Sequence, residues 1–187
     1  MKVIPLFRNR SQLVARAAKQ DRRAQRELYE QFSPKMLGVC RMYIRDLQHA
    51  EDVMLGAFFK AFSHLSDFQD KGSFEGWLRR IMIRESISFL RAQKQVEFAD
   101  DLPLEKENSF NDVQSNIDVE HIQQLIDELP EGYRMVFVMY AIEGYKHREI
   151  AELLAIDEGT SKSQLFKARK MLQEQLKTIK KTHYATT

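Results

Sequence analysis

The sequence predicts an all-α protein: two small helical domains joined by a flexible acidic linker, the second of them containing a helix-turn-helix. Three observations carry this. Only 7 Gly and 4 Pro occur among 187 residues, too few turn-formers for a strand-rich sandwich or barrel. Apolar residues recur at helical spacing almost throughout, and no segment alternates with period two. The periodicity fails from about residue 94 to 115, where Asp100, Asp101, Pro103, Glu105 and Glu107 stand among Asn and Ser. That is the composition of a solvated tether. The predicted boundaries are 1–94, 95–115 and 116–187.

Taken in order, Ser11 is the expected cap of a first helix reaching Lys19. Asp21 is the expected cap of a second that runs to Ile44, with a bend at Ser33-Pro34. A third helix should span about 48–65, a loop 66–73, and a fourth helix 74–93. Beyond the linker, helices are expected over about 116–128, 131–142, 147–154 and 158–180.

The formal net charge of +2 hides a partition. Residues 1–94 carry 18 Lys/Arg against 10 Asp/Glu, and 95–118 carry 1 against 7; residues 119–158 carry 3 against 9, and 159–187 carry 7 against 1. Two basic bodies separated by acidic stretches suit two contacts with a polyanion. A single cysteine, Cys40, excludes an internal disulfide framework. No run reaches the roughly 18–20 apolar residues of a membrane span, and no apolar signal segment opens the chain, so a soluble, cytoplasmic protein is expected. The five histidines are scattered without zinc-ligand spacing and no Gly-rich phosphate loop appears. No catalytic residue, metal site or cofactor is therefore expected, and an enzyme is the weakest reading.

Residues 145–170 have helix-turn-helix logic. Ile150, Ala151 and Leu154 give a short apolar face, 155–159 make the turn, and Thr160 opens the second helix. On a helical wheel Leu165, Ala168, Leu172 and Leu176 fall in one arc, Ser163, Lys167 and Lys170 lie opposite, and Gln164 and Phe166 lie on the flanks. Lysine reaches phosphates and guanine edges, glutamine pairs with adenine, and serine permits close approach to a major groove. The simpler alternative is that these lysines only solvate a helix face.

Two surfaces of the first domain are unusual. In the third helix Ala50, Val53, Met54, Ala57, Phe58, Ala61, Phe62 and Leu65 form an ordinary core stripe. Opposite them Asp52, Leu55, Gly56, Phe59 and Ser63 set two large apolar residues beside an acid, which is either a protein interface or a second buried side. In the fourth helix Arg80, Arg84 and Arg91 share a face with Trp77 and Ser88, and the preceding loop adds Phe68, Lys71 and Phe74. Arginines pair with phosphate and aromatics stack on unstacked bases.

These residues resemble the extracytoplasmic-function (ECF) sigma factors, the minimal branch of the sigma-70 family, over nearly the whole chain. Ala50-Glu51-Asp52-Val53 with Ala57-Phe58 is similar to the segment that binds the polymerase clamp helices. Phe74-Glu75-Gly76-Trp77-Leu78-Arg79-Arg80-Ile81 is similar to the promoter-melting, −10-reading segment. Leu129-Pro130, Arg134, Glu143-Gly144-Tyr145, Glu149-Ile150-Ala151, Gly159-Thr160, Lys162-Ser163 and Lys167-Ala168-Arg169 resemble the −35-reading domain.

The resemblance implies that Glu51, Asp52, Leu55, Gly56 and Phe59 face core RNA polymerase. It implies that Phe68, Lys71, Phe74 and Trp77 border a pocket for a flipped base, with Arg80, Arg84, Ser88 and Arg91 along the strand. Lys146, Arg148, Thr160, Lys162, Ser163, Gln164, Lys167, Arg169 and Lys170 would contact −35 DNA. Two departures stand out: Leu55 and Gly56 replace the usual Gln with Glu or Asp, and Arg84 and Ser88 replace the usual Asn and Asp. Promoter DNA and core polymerase are the implied partners, with an anti-sigma factor a further one. The linker's negative charge is expected to occupy a basic channel of the polymerase. The runner-up is a stand-alone helix-turn-helix regulator that binds duplex DNA as a dimer.

Overall fold

The computed structural model describes the backbone of residues 6–68, 72–93 and 119–184, and the side chains of 11–68, 72–93 and 123–177. The predicted linker and Lys71 lie outside the described residues. The chain divides into two compact units, Met1–Leu90 and Arg91–Thr187.

The first unit holds α1 (Leu6–Ala18), α2 (Arg22–Tyr43), α3 (Leu47–Ser63), a 3-10 turn (Leu65–Asp67) and α4 (Phe74–Ala92). Ser11 does not cap α1, which already begins at Leu6; the apolar spacing extends further back than the serine signal. Asp21 does cap α2, its carboxylate accepting the Arg23 and Ala24 N–H groups at 2.9 and 3.2 Å. Asp46 caps α3 through the His49 N–H at 2.8 Å. Helix α2 runs on through Pro34, which removes one i→i−4 hydrogen bond without ending it. Leu28, Met36, Tyr43, Leu65, Leu78, Met82, Ile83 and Leu90 are fully buried, and burial of such side chains is what holds four short helices together. Cys40 lies among them with its sulfur 3.9 Å from that of Met82, and burial pushes its thiol up to about 11.

The second unit holds α5 (Val119–Glu128), α6 (Glu131–Phe137), which widens into a π turn over Val138–Ile142, then α7 (His147–Leu154) and α8 (Glu158–Tyr184). Its core is Leu125, Ile126, Leu129, Met135, Val136, Met139, Ile150, Leu154, Leu165 and Ala168. Arg134 is wholly buried among them, held by Glu131 at 2.5 Å and Asp127 at 3.7 Å. No strand occurs among the described residues.

Candidate functional site

Three surfaces gather the residues singled out from the sequence. On α3, residues Ala50, Met54, Ala57, Phe58 and Ala61 are buried, whereas Glu51, Asp52, Leu55, Gly56, Phe59 and Ser63 are exposed. Phe59 is 77% and Leu55 50% exposed, which decides between the two readings of this face. It is an apolar surface beside two carboxylates, not a second core. Leu47, 54% exposed, extends it toward the start of the helix. The Lys60 ammonium, at the edge of this face, reaches Glu85 of α4 at 2.6 Å.

At the junction of the Leu65–Asp67 turn and α4, Asp67, Phe68, Gly72, Ser73, Gly76, Trp77 and Arg80 line a cavity of about 230 Å³. Its shape follows from local chemistry. Gly72 sits at φ +106, a conformation that disfavours side chains, and turns the chain into the helix. The Ser73 Oγ accepts the Gly76 N–H at 3.0 Å, so α4 starts beneath the cavity. A Cβ at Gly76 would meet that Oγ at 3.0 Å and crowd the cap. Phe68 and Trp77 are half-buried, with ring centroids 5.6 Å apart.

Phe74 is only 4% exposed, packed edge-on against Phe32 and Phe68. This corrects the expectation that it touches DNA: it is the floor on which Phe68 and Trp77 rest. Arg80, Arg84, Ser88 and Arg91 leave the cavity along one exposed face of α4, over about 16 Å of helix.

In the second unit, α7 and α8 form the helix-turn-helix. The Glu149 carboxylate accepts the Lys146 N–H at 2.8 Å, closing the start of α7. Ala155 takes the left-handed conformation, φ 52, that ends it. His147 stacks on Tyr140 with centroids 4.5 Å apart, and its Nδ1 meets the buried Ser161 Oγ at 2.9 Å, tying α7 to α8. Tyr140 lies within the π turn. Lys146 and Arg148 are exposed, Arg148 3.4 Å from Glu152. Lys162 is exposed and 2.7 Å from Glu158, whose carboxyl it holds below the usual range.

The wheel's assignment of α8 needs correcting. Gln164 is 1% exposed and Ser163 nearly as covered, its hydroxyl donating to the Thr160 carbonyl at 3.0 Å. Neither presents a free group to a base edge. Lys167 lies over the Tyr133 ring at 6.0 Å and Arg169 over Tyr140 at 5.6 Å, both half-buried. The exposed residues of this arc are Lys162, Lys170 and Gln173, with half-buried Phe166 and Arg169 between them. The sequence reading placed Phe166 only on the flank and did not single out Gln173; their i+4 and i+11 spacing from Lys162 was the available signal.

Two family models match in chain order: Sigma-70 region 2 over residues 28–96 and Sigma-70, region 4 over residues 120–172. The RNA polymerase sigma-H factor of Pseudomonas aeruginosa is 29% identical over 181 residues, 90% of this chain and 94% of that protein. The ECF RNA polymerase sigma-E factor of Escherichia coli K12 is 26% identical over 180 residues, 89% and 94% of the two chains. The chain is an ECF sigma factor of the sigma-70 family. As a sigma factor it directs core RNA polymerase to promoters, and no observation favours a stand-alone regulator. This ECF sigma factor also shares its fold with two solved structures. One is CnrH in complex with the cytosolic domain of CnrY (TM-score 0.51, 22% identity, 89% of this chain and 96% of that one). The other is RpoE in complex with the anti-sigma factor NepR from Bartonella quintana (TM-score 0.53, 21% identity, 81% and 96%). Among the described residues of this sigma factor, no helix is long and apolar enough to cross a membrane and no cluster could hold a metal.

Proposed function

We propose that the three surfaces divide the work of initiation. The exposed face of α3, with Glu51, Asp52, Leu55, Gly56 and Phe59, docks on core polymerase: apolar area gives affinity and the carboxylates give register. The cavity takes one unstacked base of the −10 element between Phe68 and Trp77, and Arg80, Arg84, Ser88 and Arg91 follow the strand's phosphates. The α8 strip enters the −35 major groove, Lys162, Phe166, Lys170 and Gln173 leading, while Lys146, Arg148, Thr160, Lys167 and Arg169 border it. Neither unit needs to bind DNA tightly by itself, because the polymerase holds both and raises their effective concentration. The protein acts in the cytoplasm, adds no catalysis of its own, and its α3 face is also the surface an anti-sigma factor would cover.

The observation that carries this reading is the cavity of about 230 Å³, lined by Phe68 and Trp77 with Arg80 at the start of the exposed arginine row. Run-off transcription with cognate core polymerase tests it. A stacking wall is worth about 1–3 kcal/mol per base, so Trp77→Ala should lower open-complex formation about 5- to 150-fold. Core affinity should be unchanged. Wild-type open-complex formation by a folded Trp77→Ala protein would sink the base-capture role.

A further inference from the structure

The positive charge of the first unit is not where the arginine row is. Residues 1–26 hold eight Lys/Arg against one Asp, a net +7, whereas residues 27–94 hold ten against nine. Helices α1 and α2 meet at a tight corner. The Lys19 and Gln20 N–H groups donate to the Arg16 and Ala17 carbonyls at 3.0 and 3.1 Å, Gln20 adopts φ 63, and Asp21 starts α2. Arg16 and Arg26 are each paired, with Asp21 and Glu30, at 2.7 Å. Lys19, Arg22 and Arg23 are exposed, and no carboxylate among the described residues pairs with them.

The position of two of these three cations works against the fold. Arg22 and Arg23 occupy the first turn of α2, which contains no acidic residue, at the end where the helix dipole favours anions. Asp21 offsets this only in part, because one of its oxygens is taken by the Arg16 guanidinium. Cations kept where they cost helix stability point to a ligand that needs them. Helix α1 also packs against the Leu65–Asp67 turn, and Asp67 lines the cavity. The 13 residues of α1 span about 20 Å, so phosphates a few nucleotides from a captured base come within reach of the corner.

We infer that the α1–α2 corner is a second, sequence-independent contact for promoter DNA, with Lys19, Arg22 and Arg23 neutralising backbone phosphates. It rests on the reading of the cavity as a promoter contact. The test compares holoenzymes carrying the wild-type chain and the triple variant Lys19→Gln/Arg22→Gln/Arg23→Gln. Promoter affinity is measured as a function of salt, alongside core affinity and the melting temperature of the free protein. Each lost duplex phosphate contact lowers the slope of log K against log salt by about 0.9, so the slope should fall by about 2–3. Affinity should drop on promoter and scrambled duplex alike, core affinity should hold, and the melting temperature should rise. The charge-preserving Lys19→Arg/Arg22→Lys/Arg23→Lys variant should restore the slope, and Arg22→Gln alone should lower it by about 0.9.

An unchanged slope with normal core affinity overturns the inference. So does a loss of core affinity, which would make the corner a docking site for an acidic protein surface. Wild-type open-complex formation by a Trp77→Ala holoenzyme would instead bring down the cavity reading on which the corner contact rests.

Discussion

Truncating Phe59 to alanine separates a docking residue from a core residue, because the two roles move different measurements. At 77% exposure, a side chain of about 200 Å² leaves about 150 Å² in contact with water. Covering that area under a partner at about 25 cal/mol per Å² is worth up to about 4 kcal/mol. Truncation of an interface anchor costs about 2 kcal/mol or more. Phe59→Ala should therefore weaken binding to core polymerase by about 2–4 kcal/mol, about 30- to 1000-fold in Kd. The fold gives up little: a surface substitution stays within about 0.5 kcal/mol. Its backbone carbonyl accepts the Ser63 hydroxyl at 2.9 Å, a bond that survives the change. Fluorescence anisotropy of labelled protein titrated with core polymerase reads the first quantity, and urea denaturation reads the second. Wild-type polymerase affinity, or a loss of more than about 1 kcal/mol of folding stability, would refute the reasoning.

Two further substitutions probe the interior and the acid limb. Arg134→Ala removes a fully buried guanidinium from Glu131 and Asp127 and should cost about 3–5 kcal/mol, seen as a shift in the circular-dichroism urea transition. Trp77, the single tryptophan, serves as the internal reference from the first unit. Asp21 has its carboxyl held below the usual range by the Arg16 guanidinium and the Ala24 N–H. Its contribution is therefore fully present above the ordinary carboxylate range and is lost as pH falls through the lowered folded value. Asp21→Asn keeps a capping oxygen but cannot titrate, so the stability gap between wild type and variant should be constant near pH 6 and close as pH falls toward about 2. A pH-independent gap would remove the Arg16 pair from the account.

Much of the fold was legible because helix boundaries are local chemistry. Asp21 has the Arg23 and Ala24 amides to accept within two and three residues, and at α7 Glu149 reaches back three residues to the Lys146 N–H. The α3 face was legible as a composition but not as an exposure. Leu55 and Phe59 are as apolar as Met54 and Phe58, and only the packing of α2 and the Leu65–Asp67 turn against one side of α3 decides which pair meets water. Phe74 shows the opposite case. Its position in a loop-to-helix motif beside Trp77 made it look like a stacking residue, while the ring that buries it, Phe32, lies 42 positions earlier in the chain. A single-sequence pattern carries no information about that partner.

Helix α8 explains why a hydrophobic wheel fails on a reading helix in particular. Helices α6 and α7 pack on it, with α5 touching it further along, so its covered arc is wider than its apolar arc. The surplus must be filled by side chains that are small or can bond inward. Ser161 meets the His147 imidazole, Ser163 bonds back to Thr160, and Ala168 lets a neighbouring helix approach. Leu172 and Leu176 weigh on the wheel but are only half-covered, because they lie further along the helix than Ser161–Ala168, where its buried positions cluster. The polar residues nearest the turn thus serve the packing of the motif, and the exposed cations lie on the next arc round. Exchanging Gln164 for another polar residue should accordingly disturb the stability of the second unit before it alters promoter preference, whereas Gln173 and Phe166 should alter preference at little cost in stability.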